Sequence, residues 1–256
     1  MSNVAAYNGK AFPLQFPEGK RSRTVEKDGC LIITTELPSV SFPKGLSFMS
    51  FSWSRFLSFA ADEEESMSPS MFFFRLPTLE TADLVLRKPR VKDAADVFEY
   101  AADPEVARYV LWDPHRSVGE TRLFLRDLRA RCRRGWPSSW AVVHRESGRV
   151  IGTMGFVWYS PVNRSAELGY SFSRKYWNRG YATQALQAVI DAVFTNLPVN
   201  RLEAQHDVRN PASGRVMQKC GLRQEGVLRG RIMNKGEFAD VALWAILKSD
   251  WDYAHR

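Results

Sequence analysis

The chain has 256 residues, 45% of them hydrophobic and 12% aromatic, enough apolar material for one packed domain plus an extension. It has no run of 18 apolar residues, which excludes a membrane-spanning helix, and its three scattered cysteines (Cys30, Cys132, Cys220) exclude a disulfide framework and point to a reducing, cytoplasmic setting. The net charge of +8 is uneven: residues 1–70 hold 7 Lys+Arg against 8 Asp+Glu and the remainder 29 against 20, so the main domain favours phosphate-rich partners.

Residues 1–70 show no sustained helical period. Leu31–Thr35 reads as a strand, Val40–Ser54 as a Ser/aromatic tract, and Asp62–Ser70 as an exposed acidic linker. We therefore expect residues 1–78 to be a poorly ordered extension, or to lie upstream of a true start at Met71, and residues 79–256 to be the domain. Leu84–Lys88 is a short strand that Pro89 keeps from continuing as a helix. Asp93 caps a helix that buries Ala94, Val97, Phe98 and Ala101. Asp103-Pro104 starts a second, short helix. Ser117 and Glu120 form a capping box for a third. On this third helix Phe124, Leu128 and Cys132 share one face, and Arg122, Arg126, Arg129 and Arg133 the other. That arginine stripe reads as a solvated face, with a nucleic-acid footprint as the competing reading.

After Gly135 the pattern turns to strands. Ser138–His144 and Arg149–Tyr159 make a hairpin around a Glu-Ser-Gly turn. Ser165–Ser173 is the next strand, and Leu186, Val189, Ile190 and Val193 then fall at helical spacing. Between them, Arg174-Lys-Tyr-Trp-Asn-Arg-Gly180 is a tight basic turn feeding a helix N-terminus. Such a terminus offers unpaired N–H groups and partial positive charge, and a Gly lets backbone approach a ligand. The turn is either a phosphate cradle or a plain chain reversal. Val199–His206 is another strand, a helix opens near Ala212, and two strands close the chain. Strands with inserted helices predict an α+β fold with a mixed sheet. The four histidines (His115, His144, His206, His255) form no metal motif, so no metal is expected.

Three segments in order carry a resemblance. They are the turn Trp177-Asn178-Arg179-Gly180-Tyr181-Ala182, the step Asn210-Pro-Ala-Ser213 ahead of a helix closed by Gly221, and Glu225–Arg229 with Asn234–Asp240 before the strand Val241–Leu247. Together they resemble the GNAT superfamily of acetyl-CoA-dependent N-acetyltransferases over residues 79–252, and most the RimJ/RimL-type branch, which acetylates ribosomal-protein N-termini. The family's phosphate signature is commonly written Q/R-x-x-G-x-G/A; here Trp177 stands where Gln or Arg is usual. The resemblance implies a mixed, mostly antiparallel sheet with flanking helices. It also implies a splayed pair, residues 165–173 and 199–206, that takes acetyl-CoA as co-substrate.

Acetyl transfer to an amine needs a neutral amine, an oriented thioester and a donor for the carbonyl oxygen. By resemblance Glu167 is the candidate base and Ser213 the proton donor to the leaving thiolate. The readings that compete are a surface strand carboxylate paired with Arg164 or a neighbour, and a plain helix-opening Ser. Asn210 and the backbone of Tyr170, Ser171 and Phe172 would hold the pantetheine arm. Asn178, Arg179, Gly180, Tyr181, Ala182 and Thr183 would hold the phosphates. Trp112, His115 and Trp158, with Trp177, are candidate walls of an acceptor groove or ordinary packing, and His115 is the alternative base. The implied acceptor is a protein N-terminus, or else a small amine such as a polyamine, amino acid or antibiotic. A non-catalytic acyl-CoA-binding module is the third reading. Proximity to ribosomal RNA, no membrane contact, and a monomer or homodimer complete the expectations.

Overall fold

The computed structural model describes residues 67–255 and, ahead of them, the backbone of four short strands. The chain divides into two compact units, Met1–Ala61 and Asp62–Arg256. In the first, β1 (Val4–Tyr7) pairs with β2 (Lys10–Pro13), and β3 (Ser22–Lys27) with β4 (Cys30–Thr35), both antiparallel. The expected strand at Leu31–Thr35 is therefore present. The Ser/aromatic tract, and the expectation of poor order for the extension, lie outside the described residues.

The second unit opens with a helix that the sequence reading overlooked, α1 (Pro69–Arg75). Ser68 accepts from the Met71 N–H, Pro69 takes the first helical position, and Leu76 ends the helix in the left-handed region. Phe72, Phe73 and Leu76 are buried in the main core, with the Phe72 ring edge-on to Trp140 and the Phe73 ring edge-on to Phe156 and Tyr159. A boundary at residue 78 thus cuts through this unit and must move ahead of α1.

Eight strands then form one sheet in the order β11-β12-β10-β9-β8-β7-β6-β5. They are β5 (Leu79–Glu80), β6 (Leu84–Arg87), β7 (Ser139–His144), β8 (Val150–Ser160), β9 (Ser165–Phe172), β10 (Arg201–Asp207), β11 (Arg223–Asn234) and β12 (Glu237–Leu247). Every neighbouring pair is antiparallel except β9 and β10. Side chains alternate between the two faces of a strand. Along β7, Trp140 and Val142 join the large core with α1 and α5 (Tyr181–Asn196). Ala141 and Val143 join a smaller cluster with α2 (Ala94–Ala101) and α4 (Val118–Arg133).

Details of the helices differ from expectation. In α2, Tyr100 is buried and Phe98 only half-buried. Asp93 does not cap α2: its carboxylate turns back to the Arg90 N–H and makes a bidentate pair with Arg87. Asp103 does cap α3 (Pro104–Ala107), through the Glu105 N–H. At α4 half of the box forms: Ser117 accepts from the Glu120 N–H, while Glu120 reaches the Arg116 N–H instead. The core face of α4 is Thr121, Leu125, Leu128 and Cys132. After α6 (Pro211–Lys219) and the last hairpin, a further helix, α7 (Lys248–Ala254), closes the chain. Among the described residues no helix is long and apolar enough to cross a membrane.

Candidate active site

The two parallel strands part almost at once. β9 and β10 pair only at Ser165–Arg201, Ala166–Leu202 and Glu167–Glu203. Beyond that point Leu168–Phe172 pair with β8 alone, so their other edge faces an opening with alternate backbone groups unpaired by any strand. A cavity of about 500 Å3 fills the opening. Of the residues assigned above to the coenzyme, Tyr170, Ser171, Phe172, Asn178, Gly180, Tyr181, Ala182, Thr183, Asn210 and Ser213 all line it. Arg179 does not; its guanidinium lies over the Tyr176 ring.

One wall is the turn into α5. Gly180 is the N-cap residue with φ +80°, a conformation natural to glycine, and open space lies where a Cβ would stand. No side chain caps the helix, and its first backbone bond runs from the Gln184 N–H to the Gly180 carbonyl. The N–H groups of Tyr181, Ala182 and Thr183 therefore have no partner among the described residues and lie at the cavity wall. The Trp177 indole N–H donates to the Phe172 carbonyl at 2.8 Å. The residue that departs from the usual family pattern thus ties the turn to the end of β9. Tyr181 is held from behind, its hydroxyl 3.1 Å from His144 Nε2.

The opposite wall is α6. A Cβ on Gly214 would stand 2.7 Å from His206 Nε2, so glycine lets this helix seat against β10. That seating brings Ser213 to Tyr170: Ser213 Oγ donates to the Tyr170 hydroxyl, which donates to the Ser213 carbonyl, both at 3.1 Å. Burial holds the Tyr170 phenol well above its usual pKa, so it stays protonated. Asn210, not Ser213, is the N-cap residue of α6, and its side chain makes no capping bond.

Glu167 sits where the strands separate and is 8% exposed. A bulge at Val157 on β8 sets Trp158 opposite it. Trp158 Nε1 donates to Oε2 at 2.6 Å, and Gln205 Nε2 reaches across from β10 to Oε1 at 2.9 Å. Burial raises the carboxyl above its ordinary range, and the two hydrogen bonds oppose that shift. The surface pairing with Arg164 is overturned, since Arg164 Nε donates to the Pro198 carbonyl instead.

Glu167, Trp112, His115 and Trp158 do not line the cavity; of these Glu167 sits nearest along the chain, at the last β9–β10 pair before the lining residues Tyr170, Ser171 and Phe172. His115 is wedged between Trp112 and Phe124, its Nδ1 2.8 Å from Thr121 Oγ1, and burial lowers its pKa. Trp158 belongs to the Glu167 network. The sequence reading missed the third wall, Glu105, Val106, Tyr109 and Val110 around α3. Lys235, at the tip of the β11–β12 hairpin, anchors it by donating to the Ala107 and Val110 carbonyls at 2.8 Å each. It also missed Arg215 and Lys219, which their i, i+4 spacing on α6 could have revealed. Among the described residues no group of His, Cys, Asp and Glu is arranged to hold a metal.

A family model for the acetyltransferase (GNAT) domain matches residues 83–223, more than half of the chain. The chain is 33% identical over 176 residues to an uncharacterized N-acetyltransferase, p20, of Bacillus licheniformis, covering 69% of this chain and 99% of that protein. It is 26% identical over 186 residues to the ribosomal protein uS5-alanine N-acetyltransferase of Escherichia coli, covering 68% and 92%. In fold it is similar to the ribosomal L7/L12 alpha-N-protein acetyltransferase RimL solved with coenzyme A. There the TM-score is 0.61 at 20% identity, covering 67% of this chain and 98% of that one. With the splayed parallel pair and the flanking helices in place, these matches make the chain a member of the GNAT family and an N-acetyltransferase.

Proposed function

We propose that the chain binds acetyl-CoA between β9 and β10 and acetylates the amine at a protein N-terminus, as a RimJ/RimL-type enzyme. The observation that carries this reading is a buried carboxylate, Glu167, at the last paired position of β9 and β10, just before the cleft opens toward a helix N-terminus that no described side chain caps.

The residues present suit the coenzyme. Three unpaired N–H groups of Tyr181–Thr183, with Arg215 and Lys219 across the cleft, match a diphosphate. The free edge of Leu168–Phe172 matches the amide-bearing pantetheine arm, with Asn210 beside it. When bound, the coenzyme supplies an activated acetyl thioester. Glu167 then accepts, directly or through one water, the proton that the amine sheds as its nitrogen bonds to the acetyl carbon. The Ser213 hydroxyl turns its O–H from the Tyr170 oxygen to the sulfur and gives up that proton as the carbon–sulfur bond breaks. The Tyr170 phenol proton passes to Ser213 Oγ in its place, and solvent returns a proton to Tyr170 while Glu167 releases the one it took from the amine. Backbone N–H groups of Tyr170–Phe172 meet the carbonyl oxygen as it gains charge.

An N-terminal amine suits this arrangement because its pKa, near 7.7–8.0, lets it lose a proton at neutral pH. The ribosomal-protein acetyltransferase relatives support a protein acceptor. The test is acetyl-CoA consumption by the full chain against N-terminal peptides, polyamines, amino acids and aminoglycoside antibiotics. The reading expects the highest kcat/KM with peptides. Turnover confined to the small amines would shift the acceptor class, and coenzyme binding without turnover on any amine would leave a binding module.

A further inference from the structure

A second concavity, of about 900 Å3, lies between the end of α1, the segment after β6 and the last turns of α4. It shares no lining residue with the coenzyme cleft. Seven basic side chains line it and no acidic one does. Arg87 is neutralised by Asp93. The other six, Arg75, Lys88, Arg90, Lys92, Arg129 and Arg133, have no carboxylate within 4 Å among the described residues. Three stretches of the chain bring these like charges together, and a bound polyanion would relieve their mutual repulsion.

The groove also holds an aromatic surface. Phe74 lines it and is 50% exposed, with the Lys88 ammonium 5.5 Å from its ring centroid and donating to the Phe74 carbonyl. From Arg129 and Arg133 the positive surface continues along the exposed face of α4 through Arg126 to Arg122. That row spans about 16 Å, room for roughly three phosphates of an extended strand. Guanidinium groups bind phosphate through paired N–H donors, and an exposed ring in a cationic groove stacks unpaired bases. We infer that this groove binds the sugar-phosphate backbone of a single-stranded nucleic acid, with one base on Phe74. An acidic peptide would satisfy the charges but leave the ring without use.

The test is fluorescence anisotropy of the full chain with a fluorescein-labelled RNA of about 12 nucleotides across a KCl series, with DNA of the same sequence in parallel to tell which strand is preferred. For four phosphate contacts log K should fall with log salt at a slope of about −3. Arg129→Glu/Arg133→Glu should weaken binding at least tenfold and flatten the slope by about 1.4. Both residues are exposed and have no ion-pair partner among the described residues, so the variant should keep its far-UV circular dichroism and its acetyl-CoA affinity. Phe74→Ala should weaken binding about fivefold with the slope unchanged. Equal affinity of the charge-reversal variant and wild type would overturn the inference. So would oligo-glutamate displacing the RNA at equal charge concentration, which would reassign the groove to an acidic protein.

Discussion

The Trp158 indole donates its N–H to the Glu167 carboxylate at 2.6 Å, from the strand position directly opposite. A hydrogen bond to the ionised form lowers a carboxyl pKa, and burial raises it. Here burial is the larger effect, so Trp158 restrains a carboxyl whose pKa already lies above the ordinary range. Trp158→Phe keeps most of the ring and deletes the donor. The acid limb of the kcat/KM profile should then move to higher pH, with activity recovered at alkaline pH. An unmoved limb with a uniform loss would assign Trp158 to packing alone.

The same network has a stability consequence. A group whose pKa is raised by folding contributes stability below its unfolded pKa and loses it as pH rises through the folded value. Ionised Glu167 therefore costs stability at neutral pH. Glu167→Gln should raise the melting temperature at pH 7, because Gln205 can turn its amide to keep both partners satisfied. The gain should vanish below the ordinary glutamate pKa, near 4.3. A melting temperature lowered equally at pH 4 and pH 7 would contradict this.

Phe72 is fully buried against Phe73, Trp140 and Phe156. Phe72→Ala should cost about 3–5 kcal/mol, read from the urea midpoint at constant slope. A loss under 1 kcal/mol would mean that α1 is dispensable to the core.

Gly180 holds φ +80° with open space ahead of it. Gly180→Val should cost about 1–2 kcal/mol from backbone strain alone. Gly180→Asn tolerates the conformation but adds a side chain able to cap α5, competing with phosphate for the same N–H groups. It should keep the melting temperature and weaken acetyl-CoA binding about tenfold. Wild-type affinity in Gly180→Asn would put the phosphates elsewhere.

The sequence was most legible where local chemistry and sheet alternation agree. The hairpin of β7 and β8, the turn at Gly180 and the strand that carries Glu167 follow from short-range pattern, and the family resemblance supplied their order. Phe72 and Phe73 escaped because they follow an acidic, Ser-rich linker, although Ser68-Pro69 is a legible helix start. Wrong partners were assigned where long-range contacts decide. Nothing near Glu167 in sequence announces Gln205, which sits on another strand. The α3 wall depends on Lys235, more than a hundred residues away. His115 drew notice as a titratable group beside aromatics, yet those aromatics bury it away from the cleft.

The most direct test of the account is the turnover number of Glu167→Gln from pH 6 to 9 with a peptide acceptor, and His115→Ala alongside. The account predicts a fall of about 10²–10⁴-fold at neutral pH with coenzyme affinity unchanged, shrinking as the amine deprotonates itself at higher pH. His115→Ala should keep the wild-type profile. Wild-type turnover in Glu167→Gln across this range, or loss of the acid limb in His115→Ala, would contradict the assignment of Glu167 as the base.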